Sequence, residues 1–180
     1  LNVLYITLEM AEERIAERID ANLLDTTIDD LHALPKDLYD SKILKVKNKT
    51  NGQLIIKEYP TASAHSGHFR ALFNELALKK SFRPDVVFVD YLNICASARF
   101  KGGNISSYFY IKAIAEELRG LAVEFKLPIF TATQTTRSGF VSTDIGLEDT
   151  SESFGLPATA DFMFALMTSE ELDQLNQMKV

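Results

Sequence analysis

"RPDVVFVDYLN", Arg83 to Asn93, is the stretch that decides the fold. Pro84 precedes four consecutive apolar residues, Val86 to Val89, and the run ends on a carboxylate, Asp90. A short run that is apolar at every position is what a strand covered on both sides requires, so the pattern predicts a strand inside a parallel sheet. In open parallel sheets, ligands bind beyond the carboxyl ends of the strands. Asp90 stands at such an end, where a carboxylate suits a metal ion held beside a phosphate.

Working outward, Asn2–Met10 and Leu127–Thr135 repeat the pattern, and Ala160–Thr168 reads as a fourth strand of the same kind. Gly52–Pro60 alternates less cleanly and is also expected to be a strand, stopped by Pro60. Helical spacing falls between these runs. Ala11–Leu24 places Ile15, Ile19 and Leu23 on one stripe, and His68–Lys80 does so with Phe69, Leu72, Phe73 and Leu76. Tyr108–Lys126 follows with Ile111, Ile114, Leu118 and Leu121, and Ser107 is placed to cap it. Further helices are expected over Pro35–Lys47 and Ser169–Met178, the latter capped by Ser169. Strands alternating with helices require right-handed crossovers. The expected fold class is therefore α/β, a mainly parallel sheet with helices on both faces. Two long polar loops remain, Cys95–Ser107 and Thr135–Gly155; loops of that length are functional or disordered.

The 180 residues suffice for one domain with a core of its own, residues 1–180, and are too few to expect two. No apolar run is long enough to span a bilayer, and no signal peptide opens the chain. The single Cys95 excludes an internal disulfide framework and a cysteine zinc site, and fits a reducing compartment such as the cytoplasm. The net charge of −6 argues against a protein that wraps nucleic acid over its whole surface. Any such contact must be confined to a few loops. Leu1 is not an initiator methionine and the chain opens directly into an apolar run, which leads us to expect a fragment of a longer protein.

Three strand ends carry polar groups: Thr7 and Glu9 after the first run, Asp90 after the second, Thr133 and Gln134 in the third. Brought together, two carboxylates and an amide could serve hydrolysis beside a hydrated Mg²⁺. One carboxylate supports the metal through its water, the other takes a proton from the attacking water, and the amide senses the phosphate. Each also has an ordinary reading. A strand commonly ends on an acid at the water boundary, Glu9 could be an acid favoured by a helix N-terminus, and Gln134 could be solvated.

Taken in order, "VLYITLEMAEERIAERIDANLLD", "RPDVVFVDYLNIC", "IKAIAEELRGLAVEFKLPIFTATQ" and "SESFGLPATADFMFAL" resemble the DnaB-like hexameric replicative helicases, in particular those of T4-type bacteriophages. The resemblance covers nearly the whole chain. It implies a RecA-like ATPase core using ATP and Mg²⁺. Asp90 matches the Walker B aspartate that supports Mg²⁺, Glu9 the glutamate that activates water, and Gln134 the residue linking the γ-phosphate to the DNA-binding loops. Residues Arg99–Ser106 and Ser151–Gly155 match the loops that line the ring's channel. Glu152 and Gly155 align with the better-defined positions, and Arg99, Lys101 and Arg137 are the cations expected to meet phosphate. The partners implied are single-stranded DNA, further copies of the chain in a hexameric ring, primase and a helicase loader, in the host cytoplasm.

One part of that family's equipment does not occur here. Its phosphate cradle is G-x-x-x-x-G-K-[ST], in which backbone N–H groups surround the phosphates and the Lys reaches the β- and γ-oxygens. None of the eight glycines is followed by Lys. We therefore expect these residues to begin after the cradle, and by themselves neither to bind ATP tightly nor to unwind DNA. Two rival readings share the strand-end acids. One is a RecA-type recombinase or regulatory ATPase, and the other is a degenerate module kept for protein assembly.

Overall fold

Four parallel strands form the sheet, in the order β2-β1-β3-β4. They are β1 (Val3–Thr7), β2 (Leu54–Glu58), β3 (Val86–Asp90) and β4 (Ile129–Thr131). The computed structural model describes residues 1–100, 105–135 and 155–180. Lys101, Arg137 and Glu152 therefore lie outside the described residues. Between the strands run α1 (Glu12–Leu23), α2 (Ile28–Ala33), α3 (Lys36–Lys49), α4 (Ser66–Lys80) and α5 (Ser107–Phe125), and α6 (Glu170–Gln174) lies near the C-terminus. A short 3₁₀ turn, Leu92–Ile94, follows β3 directly.

The strand register fixes which residues share a face. Leu4 pairs with Val87 and Ile6 with Val89, while Tyr5 pairs with Phe88 and Thr7 with Asp90. Leu4, Ile6, Val87 and Val89 are buried against Phe69, Leu72, Phe73 and Leu76 of α4 and Ile111, Ile114, Leu118 and Leu121 of α5. Both helices present the stripe their spacing predicts, and Phe73 meets Phe125 edge-on at 5.0 Å between ring centroids. This is the closed face of the sheet and the core of the molecule.

The other face differs from the expectation of strands buried on both sides. Tyr5, Phe88 and Phe130 stand in a row across β1, β3 and β4, with ring centroids 6.0 and 5.3 Å apart. Phe130 is 45% exposed and Leu54 44%. Ile19 of α1 reaches this face, where it lines an apolar cleft with Val3, Tyr5, Leu54 and Phe88. Helices thus lie on both faces, with α1 packed toward the β2 side of this one. An all-apolar run does not distinguish a strand buried twice from one buried once beside an aromatic ladder.

Three further expectations are corrected. Ala160–Thr168 is not a strand; apart from an isolated antiparallel bridge between Met167 and Lys179, it joins no ladder among the described residues. Phe162, Phe164 and Leu166 are exposed there, and a strand needs a paired neighbour to satisfy its backbone. Ser107 is the first residue of α5 rather than its cap; the capping position is Ser106, whose side chain makes no capping bond. The last helix is confined to Glu170–Gln174, although Ser169 does cap it, accepting from the Leu172 amide at 3.2 Å.

Candidate active site at the carboxyl ends of the strands

The parallel register places the ends of β1, β3 and β4 side by side, and the chain binds them together just beyond. The Leu8 amide donates to the Asp90 carbonyl at 2.8 Å, and the Leu92 amide to the Ala132 carbonyl at 3.1 Å. The Thr131 hydroxyl donates to the Val89 carbonyl, and the Thr133 hydroxyl to Asn93 Oδ1, each at 2.8 Å. Gln134 Nε2 reaches the Tyr91 hydroxyl at 3.3 Å. Glu9, Asp90 and Gln134 are therefore carried at or just beyond the ends of three neighbouring, cross-linked strands.

Asp90 is half-buried, and its Oδ2 accepts a hydrogen bond from the Tyr5 hydroxyl at 2.7 Å. Burial raises the Tyr5 phenol well above its ordinary value, reinforced by the hydrogen bond to Asp90 and its negative charge. The phenol stays protonated at physiological pH and holds the carboxylate in one orientation. Glu9 sits on the bend between β1 and α1 and is exposed. The bend is fixed by Thr7, whose hydroxyl donates to the Met10 carbonyl at 2.8 Å and accepts from the Met10 amide at 3.1 Å. The Thr61 hydroxyl adds a bond to the Leu8 carbonyl at 2.7 Å. A fixed bend and an exposed carboxylate suit a base that must reach water. Among the described residues no three His, Cys, Asp or Glu side chains gather as a metal cluster.

The first candidate DNA loop leaves β3 through the 3₁₀ turn. Arg99 is exposed, and its guanidinium forms an ion pair with Glu116 of α5. The second candidate segment re-enters the described residues at Gly155, which is buried and whose carbonyl accepts from the Thr159 hydroxyl at 2.8 Å. Leu156 then inserts into the core, and Arg119 of α5 holds the Thr159 carbonyl at 2.8 Å and Asp161 at 2.7 Å. Arg99, and Thr159 and Asp161 just after Gly155, are thus all held by side chains of α5.

Sequence reasoning missed one residue of this region. Glu117 of α5 accepts from the Ser97 hydroxyl at 2.6 Å, the Ala98 amide at 2.9 Å, the Arg99 amide at 3.3 Å and, on α4, the Ser66 hydroxyl at 2.8 Å. Partial burial opposes its ionisation, but the four donors outweigh that and hold its carboxyl below the usual range. A Glu two positions before a helical Arg gives no signal of this in sequence.

Comparison with known proteins gives this geometry its context. The DnaB-like helicase C terminal domain matches residues 1–178. The DnaB-like replicative helicase of Enterobacteria phage T4 is 49% identical over 179 residues, covering 98% of this chain and 38% of that protein. A probable plasmid replicative DNA helicase of Chlamydia trachomatis is 30% identical over 135 residues, or 74% of this chain and 28% of its relative. The chain thus spans well under half the length of the curated relatives it matches. Among solved structures, one ATPase domain has a TM-score of 0.75 at 20% identity, covering 96% of this chain and 61% of that one. A DnaB-like replicative helicase studied with primase also gives 0.75 at 20% identity, covering 96% and 42%. The match along residues 1–178, carried on a parallel sheet shared with these solved structures, makes this chain a member of the DnaB-like helicase C-terminal domain family.

Proposed function

We propose that these residues form the water-activating and DNA-facing part of a replicative helicase that hydrolyses ATP to move along single-stranded DNA. The observation that supports the reading is that Glu9, Asp90 and Gln134 stand at or just beyond the ends of three neighbouring, cross-linked strands, in a chain 49% identical to the T4 DnaB-like replicative helicase. The family match along residues 1–178 favours a helicase over a recombinase or an assembly module.

Asp90 fits a Mg²⁺ ion that keeps most of its water: it is one half-buried carboxylate, oriented by Tyr5, rather than one arm of a protein cage. Bound Mg²⁺ would offset the charge on the phosphates of ATP. Glu9 takes a proton from water. Gln134, bonded to Tyr91 immediately after Asp90, links the phosphate end of the site to the loops that follow β3. The Gly-rich phosphate cradle lies outside these 180 residues in this reading, as does the domain that binds primase; a helicase loader is a further partner. Copies of the chain assemble as a hexameric ring in the host cytoplasm, with 99–106 and 151–155 facing DNA in its channel. Lys101, Arg137, Glu152 and Arg99 contribute to that surface, and Gly155 contributes backbone. Arg99 must exchange Glu116 for phosphate to do so. An acidic chain can bind DNA in this way because only the channel strip needs N–H donors and cations.

The test uses the whole protein. Asp90→Ala and Glu9→Gln should each lower DNA-stimulated ATP turnover by about a hundredfold or more, the scale of losing a general base or a charge-stabilising group. DNA affinity of the wild type should fall steeply with salt. Wild-type turnover in both variants would refute the assignment.

A further inference from the structure

We propose that Glu117 is a positioning residue for the first DNA-facing loop, fixing the point at which that loop leaves the core. The inference rests on the helicase reading above and adds to it a residue that the strand-end chemistry does not require.

Most donors around the carboxylate belong to the loop itself. The Ala98 and Arg99 amides and the Ser97 hydroxyl come from three consecutive loop residues, and all donate to Glu117. Successive amides converging on one anion form a small concave nest, which selects an acceptor that is negatively charged. An ionised carboxylate is acceptor-only, so each of its lone pairs can meet a donor. Glutamine cannot replace it: its NH₂ would confront an N–H of Ala98 or Arg99, and an amide cannot turn round to accept. Ser97 is 5% exposed and its Oγ also accepts from the Arg99 amide at 3.2 Å, which closes the turn. The loop stem is thus clamped immediately before Arg99, the first of its candidate phosphate contacts.

The anchor is rigid on its own side. Neighbouring Leu118 and Ile114 of α5 are buried in the core, and the Ser66 hydroxyl braces the same carboxylate from the first turn of α4. The backbone just upstream is pinned as well, the Ala96 amide donating to the Ala64 carbonyl at 2.8 Å and the Ser97 amide to the Tyr110 hydroxyl at 3.1 Å. A loop that grips DNA needs such a fixed root, since a displacement of about 1 Å at the root misplaces every contact further along.

Four forms of the whole protein test this: wild type, Glu117→Gln, Ser97→Ala and Ser66→Ala. Three quantities are measured for each: ATP turnover without DNA, the concentration of an oligo-dT strand giving half-maximal stimulation, and the thermal midpoint. Glu117→Gln and Ser97→Ala should raise the half-stimulating concentration about fivefold to tenfold, the scale of one or two lost charge-assisted hydrogen bonds, with DNA-free turnover within about twofold of wild type. Ser66→Ala, which cuts only the brace to α4, should leave that concentration within about twofold. Equal shifts for Ser66→Ala and Ser97→Ala, or no shift in either loop-side variant, would overturn the inference and make Glu117 a brace of the fold. If Glu117→Gln does not fold, the contrast between Ser97→Ala and Ser66→Ala decides alone. A wild type with no DNA-stimulated turnover defeats the helicase reading itself, and this inference with it.

Discussion

The two faces of the sheet are built from the same kind of residue and do different work. On one, Leu4, Ile6, Val87 and Val89 disappear beneath α4 and α5. On the other, Tyr5, Phe88 and Phe130 form a ladder with one end in solvent. The register decides the division, because adjacent residues of a strand point to opposite sides. The same register that hides Leu4 and Ile6 brings Tyr5 to the open face and Thr7 beside Asp90. The closed face supplies cohesion, and the open face supplies the phenol that aims the carboxylate.

Truncation is the strongest way to break that contrast. Ile6→Ala should cost about 2–5 kcal/mol in chemical denaturation, because the cavity left in a packed core collapses only in part. Phe88→Ala, on the open face, should cost clearly less, about 1–2 kcal/mol, since its ring is only half-buried and water can enter. Equal losses would mean that the open face is covered in solution.

A smaller effect separates the faces by pH. The Tyr5 phenol is raised above its ordinary value of 10.0 in the folded state, so it binds its proton more tightly there than in the unfolded chain. The stability it contributes is complete below the ordinary value and is lost as pH climbs through that value toward the raised one. Tyr5→Phe should remove that alkaline slope, lower stability near neutrality by about 1 kcal/mol, and leave the closed-face core unchanged. An unaltered alkaline limb would place the phenol in water.

The smallest expected effect belongs to the helix surface above the closed face. Arg70 of α4 and Glu124 of α5 form a two-pronged ion pair, closest at 2.8 Å, yet each side chain is 45% exposed. Arg70→Ala should change stability by no more than about 1 kcal/mol and less at high salt, despite the geometry.

Much of the plan is legible in sequence because it depends on neighbours along the chain. The β-branched runs give β1 and β3, helical spacing gives α1, α4 and α5, and a carboxylate after an apolar run gives Asp90. What depends on distant partners is not legible. The aromatic ladder needs Tyr5, Phe88 and Phe130 in register. Glu117 acquires its position from Ser66 and Ser97, which lie 51 and 20 residues away. Ala160–Thr168 has a strand's composition and no partner strand among the described residues, so hydrophobicity alone misreads it. α2 escapes notice for a different reason. It is 6 residues long and buries only Leu31, too little periodicity to register, although Thr27 caps it through the Asp30 amide at 3.0 Å.

Strand β4 is 3 residues long and is the last strand of the sheet among the described residues. An edge of this kind is a template on which a foreign strand can be laid. The opposite edge, β2, is guarded by the charges of Lys57 and Glu58. β4 has none; it offers Ile129, Phe130 and Thr131, with Pro128 just before them as its only chemical discouragement. Brevity is therefore its main protection, since so few ladder bonds cannot hold an intruder for long. A charge added at this edge, Phe130→Lys, should therefore reduce pairing of copies through it in concentrated solution, as light scattering would read.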